Sequence, residues 1–145
     1  MYLTRHSDYT MRLLIYLAVE PGRVATIREI AGSYGISRNH LMKVANQAVQ
    51  AGHVEAVRGR AGGLRLAKPA HRIRVGDVLR GTEDWSLAEC FDPASNTCSI
   101  TGGCGLRSVL KEALEAYLGV LDGYTLADLV RKRKLLVQIL GLKTA

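Results

Sequence analysis

The 145-residue sequence predicts a mainly α-helical fold with one small β-hairpin, and three observations predict it. Apolar residues recur at helical spacing over most of the chain. The period falls to two only in HVEAV (53–57) and GLRLA (63–67), on either side of RGRAG (58–62). Helix-start signals, a Thr or Ser just ahead of a periodic run, stand at Thr26, Ser37 and Thr125.

Taken in order, residues 8–19 (DYTMRLLIYLAV) place Tyr9, Leu13, Tyr16 and Leu17 on one helical face and stop at Glu20-Pro21-Gly22. Thr26 precedes IREIAGSYG with Glu29 three residues on, the capping-box spacing. Ile27, Ile30 and Ala31 form the buried stripe of that short helix, which ends at Gly35. Ser37 then caps RNHLMKVANQAVQAG, with Leu41, Val44, Ala45 and Ala48 facing inward. A short amphipathic helix, a glycine turn and a capped second helix outline a helix-turn-helix. The hairpin that follows, with Gly62-Gly63 expected to supply the positive φ of its turn, makes the unit a winged helix. VGDVLRGTEDWSL (75–87) closes it with a short helix that starts near Gly76 or Asp77.

Beyond the next loop, GLRSVLKEALEAYLGVLDG (105–123) carries Leu106, Val109, Leu110, Ala113, Leu114, Tyr117, Leu118 and Leu121 as one apolar stripe along about five helical turns. Nothing obvious elsewhere in the chain would bury it. Pairing with the same helix of a second copy is the economical solution, set against packing across its own winged helix. Thr125 and Asp128 repeat a capping pattern before LADLVRKRKLLVQIL, a C-terminal helix containing the basic run RKRK (131–134). The expected organisation is a winged helix-turn-helix domain over 1–87, a cysteine-bearing loop over 88–105, and a dimerisation helix with a C-terminal helix over 106–145.

Charge divides the chain unevenly. Residues 1–80 carry 13 Lys and Arg against 5 Asp and Glu, net +8, while residues 81–145 carry 7 against 8, net −1. The electropositive half is the one with the helix-turn-helix, which points to double-stranded DNA. In such a motif the start of the second helix faces base edges. Here those residues are Ser37, Arg38, Asn39 and His40, with Lys43 one turn on. Arg pairs bidentately with guanine and Asn with adenine. Arg58 and Arg60 tip the wing and Arg65 follows on its second strand, in reach of phosphates or the minor groove. Two such units in a homodimer would read a palindrome with half-sites about one turn of DNA apart.

The three cysteines, Cys90, Cys98 and Cys104, all lie in ECFDPASNTCSITGGCGL (89–106). With neither a signal peptide nor an apolar run long enough to span a membrane, the sequence reads as cytoplasmic, where clustered thiols suggest metal or redox chemistry. Their spacing is not that of a structural zinc site. It suits a loop wrapped around an iron–sulfur cluster, whose usual fourth protein ligand is missing from the cysteine set. Zinc held with one of His6, His40, His53 or His71, and a thiol–disulfide pair, are the alternatives. No phosphate loop and no nucleophile–base constellation is present, so the sequence does not read as an enzyme.

LTRHSDYTMRLLIYLA, ISRNHLMKVANQ, RGRAGGLRLA, ECF…C…C-G-L and YTLADLV together resemble the Rrf-type winged-helix regulators, dimeric bacterial transcription factors that often carry iron–sulfur clusters. Among these the sequence is most similar to the nitric oxide-sensing repressors. The resemblance implies a [4Fe-4S] cluster bound by Cys90, Cys98 and Cys104, with [2Fe-2S] the alternative for a regulator of redox state or cluster supply. The family's cluster-assembly branch takes a His three residues after the third cysteine; Arg107 stands there, which closes that option. The nitric oxide-sensing branch takes a carboxylate from the partner's first helix, and the matching residue is Asp8, with His6 its nearest rival. Asp8 also fits a helix cap or an ion pair with Arg12.

Overall fold

In the computed structural model, residues 2–142 are described; Met1 and residues 143–145, the end of the C-terminal segment, lie outside them. Helix α1 (Arg5–Val19) is followed by α2 (Ile27–Tyr34) and α3 (Arg38–Gln50). Strands β1 (Val54–Val57) and β2 (Gly63–Leu66) come next, then α4 (Val75–Arg80) and α5 (Gly105–Asp122). The chain ends in α6 (Leu126–Leu129) and α7 (Arg133–Ile139).

The first helix begins three residues earlier than the apolar period suggests, because Thr4 caps it: its side chain accepts from the Ser7 backbone N–H. Asp8 is therefore not the cap but a residue inside the first turn. The Thr26–Glu29 capping box forms in full, and the hydrogen bonds from Thr26 hold the Glu29 carboxyl below its usual range. Ser37 occupies the N-cap of α3 but makes no side-chain capping bond. Leu13, Leu14 and Val19 of α1 pack against Ile30, Leu41, Val44, Val54 and Val78, all fully buried.

The hairpin is antiparallel, with Val54 opposite Leu66 and Val57 opposite Gly63. Ala25 and Leu64 also exchange backbone bonds of 2.9 and 2.8 Å, joining the segment before α2 to the wing. The positive φ in the wing's turn falls on Gly59 (108°), not on Gly62 or Gly63. The reason is visible at Gly62, whose backbone N–H closes the turn onto the Gly59 carbonyl. The bend therefore sits three residues earlier than Gly62, within the arginine-bearing tip.

Two further expectations are corrected. The helix after the wing stops at Arg80 rather than filling 75–87, and residues 82–88 run without helix. The C-terminal helix is two pieces, because α6 ends at Leu129 and α7 starts only at Arg133. The Thr125–Asp128 box starts α6 as expected. The break lets Leu126, Leu140 and Leu142 all enter the core beside α1. Four like charges over 131–134 would repel one another in a continuous helix and gain no burial, so the break there costs little.

Helix α5 contributes no buried residue. One side rests on α4, where the Arg80 guanidinium donates to both Asp122 oxygens at 2.5 and 2.7 Å. A Cβ at position 76 would stand 2.0 Å from Asp122 Oδ1, so Gly76 leaves room for the ion pair that any side chain there would displace. Of the apolar stripe, Leu106 and Val109 are open at 60% and 61% exposed, whereas Leu110, Leu114, Tyr117, Leu118 and Leu121 are half-buried.

Candidate functional site

Two surfaces carry the residues singled out by the sequence. On the first, α3 presents Arg38, Asn39, Met42, Lys43 and Asn46 to solvent on one face, and none of them forms an ion pair among the described residues. Met42, half exposed, and Asn46 were not singled out in the sequence reading. Both follow from continuing the Arg38–Asn39 face by four and seven residues, and an apolar side chain there suits a thymine methyl group. Arg28 of α2 is likewise exposed and unpaired among the described residues. Arg58 and Arg60 project from the wing tip, also exposed and unpaired among the described residues.

His40 and Arg65 differ from the others. The His40 ring packs edge-on against Tyr9 of α1, centroids 4.9 Å apart, so this side chain is held by the protein's own first helix. Arg65 pairs across the hairpin with Glu55, directly opposite it, and its charge is partly committed there.

The second surface is the cysteine loop and the start of α1. Cys90 lies in a single helical turn (Glu89–Phe91), Cys98 in the following turns, and Cys104 at the N-cap of α5. All three thiols are unpaired and half-buried. The loop is held by short-range bonds alone among the described residues. Asp92 accepts from Ala94 N–H and Ser95 Oγ, Asn96 accepts from Cys98 N–H, and the Thr101 hydroxyl donates to the Cys98 carbonyl. A segment bonded only to itself can rearrange at low cost. At its far end, Cys104 stands where the free N–H groups of an 18-residue helix attract negative charge, thiolate or sulfide alike.

The three thiols do not converge: among the described residues no three His, Cys, Asp or Glu side chains are grouped to hold a metal ion. Asp8 belongs to a different part of the chain. Both its oxygens are taken by Arg12, from Nε at 3.0 Å and Nη2 at 2.7 Å, and the carboxylate remains 40% exposed. The Arg12 guanidinium also lies 5.6 Å from the Tyr9 ring and 6.0 Å from the Tyr34 ring. Burial pushes the Tyr34 hydroxyl up to about 12, so it stays neutral beside that cation. His6, two residues before Asp8, points the other way. It lines a cleft between α1, α3 and α4 together with Thr10, Gln47 and His53. Arg107, on the first turn of α5, lies over the Phe91 ring at 6.0 Å, so a cation rather than a ligand borders the thiols.

Unpaired thiols on a loop free to close, plus a helix N-terminus at one of them, fit a cluster held by thiolates. They supply three donors and no fourth from the loop itself.

A three-helix unit with an arginine-tipped wing, a basic exposed helix face and an unpaired apolar helix defines a winged-helix regulator. The chain belongs to the Rrf2 family, described as "Iron-dependent Transcriptional regulator", which it matches over residues 3–132. It is 50% identical to the HTH-type transcriptional regulator NsrR of Bacillus subtilis (strain 168), over 99% of both chains. Among solved structures it is similar to Staphylococcus aureus CymR, at 27% identity and TM-score 0.70, over 88% of this chain and 97% of that one. It is also similar to T. potens IscR, at 28% identity and TM-score 0.67, over 91% and 88%. Among the described residues no helix is long and apolar enough to cross a membrane.

Proposed function

We propose that this protein is a homodimeric, cytoplasmic DNA-binding repressor that senses nitric oxide through a [4Fe-4S] cluster and leaves its operator on nitrosylation. One observation carries the reading. In a chain half identical to an NsrR along its whole length, three unpaired cysteines share one self-bonded loop, and a surface carboxylate is gripped by a single arginine. Cys90, Cys98 and Cys104 would hold the cluster, completed by Asp8 of the partner subunit. When bound, the cluster supplies iron open to nitric oxide at its one oxygen-ligated corner.

The chain's own residues do the rest. An exposed i,i+4 ion pair contributes only about 0.5 kcal/mol. Arg12 therefore presents Asp8 to the partner without retaining it, and recaptures it when the other bond is lost. Because Arg12 lies over Tyr9 and Tyr34, and Tyr9 meets His40, each exchange is felt on α2 and α3. His6 is the weaker choice of ligand, since it faces the cleft behind α3.

On DNA, α3 would enter the major groove with Arg38, Asn39 and Met42 toward the bases and Ser37 and Lys43 beside them. Arg58, Arg60 and the partly committed Arg65 would contact backbone or minor groove from the wing. The open stripe of α5 would be the dimer seam, which sets the spacing of the two α3 helices on a palindrome.

Anaerobic isolation tests the reading. Visible absorption and native mass spectrometry should give one [4Fe-4S] per subunit, and Asp8→Ala should retain less of it. Stepwise nitric oxide should abolish the DNA shift. Zinc in place of iron, or DNA binding indifferent to the gas, overturns it; a [2Fe-2S] spectrum reassigns the protein to redox or cluster-supply control.

A further inference from the structure

The turn that carries Asp8 is fastened to a distant part of its own chain. Ser7, next to Asp8, is 0% exposed. Its hydroxyl faces Thr82, at 2.9 Å from Oγ1 and 3.2 Å from the carbonyl oxygen. Thr4 Oγ1 donates to Ser7, and Thr82 Oγ1 in turn donates to the Val78 carbonyl at 3.1 Å, so three hydroxyls form one directed relay. Beside it, the Thr4 backbone N–H donates to Glu83 Oε1 at 2.6 Å. A buried serine left without partners is costly, so this contact is a constraint and not a chance approach.

From Thr82 the connection continues in both directions along the cysteine arm. Residues 82–83 lead directly toward Cys90. Through α4 and the Arg80–Asp122 ion pair they are also tied to the last turn of α5, whose first turn is capped by Cys104. The turn of Asp8 is thus braced to both ends of the cysteine arm, residues 82–83 ahead of Cys90 and helix α5 behind Cys104, while the loop between them bonds only to itself among the described residues.

We infer that Ser7 and Thr82 are positioning residues that couple the two clusters of the dimer. The inference rests on the reading that Asp8 serves the partner's cluster. Each chain then gives its thiolates to one cluster and its carboxylate to the other, and the Ser7–Thr82 latch joins the two contributions. Loss of Asp8 from one cluster shifts the thiolate arm at the second, so the pair responds as a unit.

The test uses the full-length protein with Thr82→Val, Ser7→Ala and the hydroxyl-keeping Thr82→Ser. In protein isolated without iron, backbone amides 5–9 should exchange about fivefold faster or more in Thr82→Val, and at the wild-type rate in Thr82→Ser. In anaerobically loaded protein, nitric oxide should release wild-type and Thr82→Ser dimers from DNA with a Hill coefficient above 1. Thr82→Val, at equal cluster content, should fall to about 1. Should Thr82→Val lose the fold, Ser7→Ala breaks the relay while leaving the end of α4 intact, and is read the same way. A latch variant as steep as wild type, with unchanged exchange, overturns the inference. An Asp8→Asn protein that keeps an unaltered cluster instead overturns the ligand reading beneath it.

Discussion

The winged-helix half and the cysteine-loop half of the chain solve the burial problem differently. Around α1–α3, fully buried residues from six elements close a core, and buried polar groups such as Ser7 and Thr10 find partners. From residue 88 to 122, no residue is buried, the loop bonds only to itself, and large apolar side chains on α5 face outward. The first half is complete within one chain. The second leaves apolar side chains of α5 uncovered, the kind of surface that association can finish.

The sharpest way to break this contrast is to make one substitution in each half. Leu41→Ala removes a fully buried side chain from α3 and should cost about 2–5 kcal/mol in urea unfolding. Val109→Glu, on the open stripe, should leave unfolding of the monomer within about 0.5 kcal/mol of wild type. It should weaken the dimer at least about tenfold by sedimentation, because a charge would enter the seam from both sides. If Val109→Glu unfolds the chain instead, the stripe is packed internally and the contrast fails.

A smaller effect probes the Arg80–Asp122 ion pair, one of the contacts that join the halves. The hydrogen bond from Arg80 holds the Asp122 carboxyl below its ordinary 3.8. A carboxylate whose folded value is depressed contributes stability above its unfolded value and loses it as pH falls through the folded one. The stability difference between wild type and Asp122→Asn should therefore be flat from about pH 8 to 5 and close only below about pH 4. A difference that changes near pH 6 would assign the titration elsewhere. His53 is the group to suspect, since burial and then Lys68 lower it.

Much of the site was legible. Capping residues announce helices α2 and α6 because the bonds they make are local, within three residues. The cysteines and the basic face of α3 stand out because residue type and spacing alone carry their chemistry. Met42 and Asn46 were recoverable by extending a helical period. Thr4, by contrast, was overlooked as a cap because Asp8 offered a second plausible one.

What the sequence determined by itself was local: the starts of α2, α3 and α6, the strand alternation, the Asp8–Arg12 pair one helical turn apart, an apolar stripe with no visible counterpart, and three thiols in one loop. What the tertiary structure decided was long-range. It broke the C-terminal helix at 130–132 so that Leu140 and Leu142 could reach the core, turned His40 onto Tyr9, and set Ser7 against Thr82 across 75 residues. The physical reason is the range of the forces involved. Propensity and capping act over one helical turn, whereas burial of an apolar side chain or of a hydroxyl is settled only when distant segments exclude water together.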